Sequence, residues 1–264
     1  MLGRLDWDRY WGFELFRRQC DPVDFRRWKR DSQRELKALY PGRPRLLDST
    51  AGLGDHTVNL DEEGFVVEAC DASAVAREAT EAALALARLD VPVLDVHWAD
   101  LGERSERYDL VWNDALHWIY DEGELRAALG GMFASLRPGG ALVYFFADAK
   151  EPDEDAGKRV LMWDWERMQR ARIEWEHERD ERGVCLTIVT ERGDDHIDEH
   201  HLYHVREEGG PAVLETLTMR RVYRWDYFHL TPLLEEAGFV DIRSDHFRNV
   251  KGHLFAMNRA FRPR

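Results

Sequence analysis

Leu46-Leu47-Asp48-Ser49-Thr50-Ala51-Gly52-Leu53-Gly54-Asp55-His56 is the stretch whose reading decides the fold. Arg45 to Asp48 is a short apolar run that enters a turn of small residues, and a helix of about two turns follows, ending near Gly64. A glycine-rich strand-to-helix turn lets backbone N–H groups approach a ligand, because Gly52 and Gly54 carry no side chain to hold it off. Phe65 to Cys70 reads as a second strand and ends at Asp71, where an acid can accept hydrogen bonds from a ribose diol. Turn, acid and strand–helix order together describe the first half of a nucleotide-binding α/β fold.

Working outward, Phe25, Trp28, Leu36 and Leu39 give helical spacing over residues 22–40, stopped by Pro41-Gly42. An alanine-rich helix is expected over 73–88, a third strand from Val91 to Trp98 and a fourth from Tyr108 to Trp112. A helix at 122–136 runs to Arg137-Pro138-Gly139-Gly140, a sharp stop, before the fifth strand Ala141 to Phe146. Strands this apolar, alternating with helices, predict a parallel sheet covered on both faces.

The pattern then changes. Residues 155–178 are charged, tryptophan-rich and expected to be helical, and strands follow at 184–190, 197–207 and 212–224. These form an antiparallel meander inserted after the fifth strand. Thr231-Pro232 is expected to open a helix as N-cap and first position, closing at Gly238 before a final strand pair at 239–242 and 253–257. The predicted class is therefore α/β, a Rossmann-like doubly wound sheet with an inserted antiparallel meander. Its expected divisions are a helical lid (1–44), a core (45–150 and 226–264) and an inserted helix and meander over the site (151–225).

Composition narrows the function. With 51 acidic against 37 basic residues, the chain carries a formal charge of −14, a field that repels phosphate backbones and argues against nucleic acid. No apolar run has the length of a membrane span, and the N-terminus lacks the order of a signal peptide. Cys20, Cys70 and Cys185 lie far apart, as reduced thiols of a cytoplasmic protein do. An oligomer is compatible with all of this. A nicotinamide dinucleotide would use the same half-fold, but its fingerprint wants a third glycine where Thr57 stands. Asp48, in the approach to the turn, also suits a cationic or amino-bearing ligand better than a pyrophosphate.

The quoted stretch resembles motif I of class I S-adenosylmethionine-dependent methyltransferases. Val66 to Ala72 resembles motif II, and Tyr108-Asp109-Leu110-Val111 with Leu136-Arg137-Pro138-Gly139-Gly140 resembles the later motifs. Glu63-Gly64-Phe65, Cys70-Asp71-Ala72-Ser73 and Glu236-Ala237-Gly238-Phe239 after a meander look like the glycine/sarcosine N-methyltransferase group. The resemblance implies S-adenosyl-L-methionine as cofactor. It would be held by Asp48, Ala51, Gly52 and Gly54 in the turn, Asp71 and Ala72 at the ribose, and Trp98, Ala99 and Asp100 near the adenine. Arg26, or Arg27 beside it, would meet the cofactor carboxylate, and Asn113, Asp114 and His117 would face cofactor and substrate.

One departure bears on the substrate. The glycine-methylating enzymes place an arginine just after the fifth strand, and Tyr144 to Ala149 contains none. A bidentate clamp on a substrate carboxylate is lost with it. The expectation is methyl transfer to an amine of a small polar metabolite, with O- or S-methylation and a non-catalytic cofactor-binding protein as alternatives. Asp114 and His117 are the candidates for accepting the amine proton. Tyr10, Trp118, Phe146, His201 and Tyr203 are the candidate substrate contacts. Trp112, Trp118, Tyr120, Phe145 and Phe146 are open to two readings, a cation cage or core. His196, His200 and His204 share a strand face, but neighbours four apart are separated by about 13 Å, too far for one metal. No metal is expected.

Overall fold

The computed structural model describes residues 6–22, 25–146, 156–225, 227–248 and 254–264. Helices α1 (Trp7–Cys20) and α2 (Phe25–Leu39) precede the alternating core. That core runs β1 (Arg45–Asp48), α3 (Asp55–Glu62), β2 (Val66–Cys70), α4 (Ala74–Ala87), β3 (Val93–Leu94), β4 (Tyr108–Asn113), α5 (Glu122–Ser135) and β5 (Leu136–Phe146). Then come α6 (Ala156–Arg167), β6 (Ala171–Arg179), β7 (Arg182–Arg192), β8 (His196–Arg206) and β9 (Val213–Val222). The chain closes with α7 (Tyr227–Glu236), β10 (Val240–Arg248) and β11 (Leu254–Phe261).

The main sheet has seven strands in the order β10-β11-β5-β4-β1-β2-β3. β1 lies parallel between β2 and β4, so the strand order reverses there and leaves a crevice beyond its carboxyl end. Alternation along each strand sorts the core into two layers. Leu47, Val111, Leu142 and Tyr144 pack against α5 and α7 on one face. Leu46, Leu110, Trp112 and Val143 pack against α2, α3 and α4 on the other.

Four local readings differ from expectation. The third strand is only Val93–Leu94, because the segment turns into a 3₁₀ helix at Trp98–Arg104. Arg137 to Gly140 does not separate α5 from β5 but forms an irregularity within the strand, where pairing jumps from Tyr108↔Leu136 to Leu110↔Ala141. The inserted sheet has four strands, β6-β7-β8-β9, since 171–179 is extended and not helical. α7 starts at Tyr227, so Thr231 is not its N-cap and Pro232 lies inside the helix.

α1 joins the two sheets. Phe13 stacks on Tyr203 of β8 with ring centroids 3.7 Å apart, and Phe16 packs with it against Val184, Leu186 and Leu217. Its other side meets the core, where Ser73 Oγ donates to Asp8 (2.6 Å) and Arg18 grips Asp55 through two hydrogen bonds of 2.9 and 2.6 Å. Phe13 is 4 % exposed and Leu86 on α4 is 87 % exposed. Phe13→Ala is expected to lower stability by about 3–5 kcal/mol in urea unfolding, whereas Leu86→Ala stays within about 0.5 kcal/mol.

Candidate active site

The crevice beyond β1 is built by backbone geometry first. Gly52 and Gly54 both take positive φ (55° and 86°), a region in which side chains are strained. A Cβ at Gly52 would stand 2.9 Å from the Trp11 ring of α1. A Cβ at Gly54 would press on Ala83 and Thr80 of α4, so the second glycine serves close helix packing. Asp71, just past β2, accepts from Gly52 N–H at 3.0 Å and from Ser73 N–H at 2.9 Å. Each carboxylate oxygen keeps a second lone pair for a ligand hydroxyl. Burial pushes Asp71 upward, and the Ser73 and Gly52 N–H groups oppose that by stabilising its charge.

The floor beneath is polar and satisfied. Asp48 is fully buried and accepts from Thr57 Oγ1 at 2.7 Å and Thr50 N–H at 3.2 Å. Desolvation raises its titration, with the nearby His56 pulling the other way. Ser49 Oγ donates to the Trp112 carbonyl and accepts from Asn113 Nδ2 at 3.0 Å, while Trp98 Nε1 donates to the Ser49 carbonyl at 2.7 Å. Ala51 N–H donates to the Cys70 carbonyl at 3.2 Å. Asp48, Ala51, Gly52, Gly54, Asp71, Trp98 and Asn113 thus stand around one turn, and Asp114 joins them where its N–H meets Thr50 Oγ1 at 3.4 Å.

Other expected residues fall elsewhere. Arg26 pairs with Glu62 (2.6 Å) and Asn59 (3.3 Å) at the far end of α3, and the arginine at the turn end of that helix is Arg18. The side chain of Arg27 lies outside the described residues. Ala72 and Ala99 are exposed, and Ala72 uses its carbonyl to accept from Arg77. Asp100 lines a cleft of about 580 Å³ with Arg45, Arg104 and Arg107, on the side where β1 and β4 begin. Trp112 is buried in the core and Tyr120 sits between Arg220 and Arg224, each 4.6 Å from its ring, so these aromatics form no common cage. Trp118 meets Trp7 edge-on at 6.5 Å. Phe146 ends β5 opposite Ala256, and its side chain lies outside the described residues, as do residues 147–149.

The roof is α1 with the inner face of the four-stranded sheet. His201 is buried, 3.2 Å from Tyr203 Oη and 3.4 Å from Glu199, with Tyr10 beside it at 6.3 Å between rings. Burial would raise Glu199, but the His201 hydrogen bond and the charges of His201, Arg172 and Arg221 outweigh it and hold the carboxyl below its usual range. Tyr203 is fully buried against Phe13, placing it in the wall that carries the roof. Histidines 196, 200 and 204 alternate onto the opposite face, and among the described residues no group of three potential ligands could hold a metal. Gln33 and Arg18 were not marked by any sequence motif, and the contacts of His56, Trp11 and Glu199 were not foreseen. Their roles come from pairing register and helix packing, which a single motif does not carry.

Residues 46–140 match a family model described as a methyltransferase domain. No sequence among the curated proteins matches the chain. Among solved structures, the sugar N-methyltransferase KedS8 from Streptoalloteichus is 19 % identical with a TM-score of 0.67, covering 96 % of this chain and 93 % of that one. An S-adenosylmethionine-dependent methyltransferase from Clostridium acetobutylicum is 16 % identical with a TM-score of 0.65, covering 96 % and 98 %. CalS10 from Micromonospora echinaspora, an amino pentose methyltransferase solved with S-adenosylmethionine bound, is 19 % identical with a TM-score of 0.57, covering 90 % and 91 %. Residues 46–140 are thus similar to a methyltransferase domain, and the chain has the fold of the solved S-adenosylmethionine-dependent methyltransferases. Among the described residues, no helix is long and apolar enough to cross a membrane.

His117, in the short 3₁₀ turn Leu116–Trp118, is pushed down to about 4 by burial and by the Arg221 charge, against a smaller opposing pull from Asp114. Its ring is therefore neutral at pH 7. Between pH 6.5 and 4 the unfolded chain binds a proton there that the native state does not, so this group takes stability away as pH falls. The loss amounts to at most about 3 kcal/mol. In urea unfolding at pH 7 and pH 4.5, His117→Phe is expected to show a smaller acid-induced loss than the natural chain.

Proposed function

We propose that the protein transfers a methyl group from S-adenosyl-L-methionine to the amine of a small polar metabolite. The observation that carries this reading is the joining of Asp71 to the Gly52 backbone beyond the carboxyl end of β1, where the strand order reverses. Gly52, without a side chain, lets the Trp11 ring close over the turn, and Asp71 would take the ribose hydroxyls of the cofactor. Asn113 and Trp98 are proposed to complete its surroundings, and Arg18 is better placed than Arg26 for its carboxylate end.

The cofactor, when bound, supplies an activated methyl on a sulfonium. The acceptor must then present a lone pair in line with that methyl, in a site that keeps water out. An amine that gains a methyl would have to give up a proton to the protein or to water. Asp114 is the proposed acceptor of that proton. His117, neutral and only weakly basic, orients the acceptor through a hydrogen bond. Glu199, held ionised, would attract an amine to the roof, with Tyr10, Trp118 and His201 framing it. Carboxylates on two sides favour an amine over a hydroxyl or thiol. The segment order also supports kinship with the glycine/sarcosine N-methyltransferase group. The missing arginine after β5 argues for an acceptor other than glycine, and similar structures named as a sugar N-methyltransferase and an amino pentose methyltransferase agree with that.

The roof of α1 and β6–β9 supports a small acceptor over a protein or nucleic acid. The test is incubation with methyl-labelled S-adenosylmethionine and cell extract split by size, followed by mass spectrometry. Label is expected in the small-molecule fraction, on nitrogen. Label confined to macromolecules overturns the acceptor class, and cofactor binding without any transfer overturns catalysis.

A further inference from the structure

A line of three side chains runs beneath the site from α2 to the end of β4. Gln33 on α2 is fully buried, His56 in the first turn of α3 is 6 % exposed, and Asp114 follows β4. Gln33 Nε2 lies 2.5 Å from His56 Nδ1, and His56 Nε2 lies 2.9 Å from Asp114 Oδ2. With an amide N–H directed at Nδ1, that nitrogen accepts, and Nε2 carries the proton that the ring donates to the carboxylate. Gln33 Oε1 is buried with no hydrogen-bond partner. An orphaned buried acceptor is costly, and an apolar residue of similar shape would pack between α2 and α3 without that cost. The glutamine therefore needs a reason other than packing, and its contact with His56 supplies one.

We propose that Gln33 and His56 are positioning residues that fix one imidazole tautomer so that it aims Asp114 at the methyl acceptor and keeps it ionised. The inference rests on the assignment of Asp114 to the acceptor side of the site. Among the groups facing Asp114 are His56 from α3, Asp48 from β1, Asp71 beyond β2 and His117 from the 3₁₀ turn. Asp48 and Asp71 are acids and disfavour a third negative charge nearby. His117 is neutral and does not compensate. The hydrogen bond from His56 offsets that repulsion, and it also holds one carboxylate oxygen of Asp114.

The experiment follows the Asp114 carboxyl by carbon-13 NMR in protein labelled at aspartate Cγ, with Asp114→Asn identifying the resonance. In His56→Phe the titration midpoint is expected to rise by about one pH unit, the size of a lost hydrogen bond to a charged group. His56→Gln, which retains an amide donor, is expected to restore most of the shift, whereas a purely structural role would not separate the two variants. Gln33→Met is expected to move the midpoint in the same direction by less, and it decides the matter if His56→Phe does not fold. An unmoved midpoint in the folded variants overturns the proposal. Because the midpoint is read without cofactor or acceptor, a shifted midpoint alongside absent methyl transfer upholds the relay and rejects the catalytic reading alone.

Discussion

The carboxylate of Asp71 holds together the two loops from which the rest of the site is assembled. One oxygen takes the Gly52 N–H from the loop after β1 and the other takes the Ser73 N–H from the loop after β2. Charge-assisted bonds of this kind are about twice as strong as neutral ones, and here they join two parallel strands at their carboxyl ends. Thr80 Oγ1 adds a bond to the Gly52 carbonyl from α4, so the turn is fixed on both of its polar groups. Burial works against the charge on Asp71, and these N–H donors, with the Arg77 charge, oppose that by stabilising it. Loss of either glycine conformation would move the N–H that Asp71 needs.

On this clasp stands the roof. α1 has aromatic residues toward the inserted sheet and polar ones toward the core: Phe13 and Phe16 face β7–β9, whereas Asp8 and Arg18 reach Ser73 and Asp55. The division explains why a helix of mixed composition is ordered between two sheets. It also places Trp11 over Gly52 and Tyr10 beside His201, so one helix touches both the turn after β1 and the inserted sheet. Exclusion of water from a methyl-transfer site depends on such a cover.

The core was legible because periodicity and turn chemistry agree there. Gly52, Gly54 and Asp71 sit where the strand–turn–helix pattern puts them, and Asp48 is buried beside Thr57, the residue that replaced a third glycine. Where local signals conflicted, the reading slipped. Tryptophans and charges over 155–178 suggested one helix, but from Ala171 onward pairing with β7 makes the segment a strand. Val91 to Trp98 looked like a strand, yet Trp98 is drawn away to the Ser49 carbonyl. The spacing that selected Arg26 counts residues along the chain, and the intervening helix turns that arginine towards Glu62. Gln33 escaped notice because its meaning depends on His56, 23 residues away, and Glu199 because strand pairing brings Arg172 and Arg221 to it.

The central claim is that the Gly52–Asp71 clasp binds the cofactor through its ribose. Calorimetric titration of S-adenosylhomocysteine into the natural chain and into Asp71→Ala tests it most directly. Binding by the natural chain with affinity lowered about 10- to 100-fold in a folded Asp71→Ala is the predicted result, the cost of losing hydrogen bonds to a charged acceptor. Equal affinity in the two proteins would contradict the account.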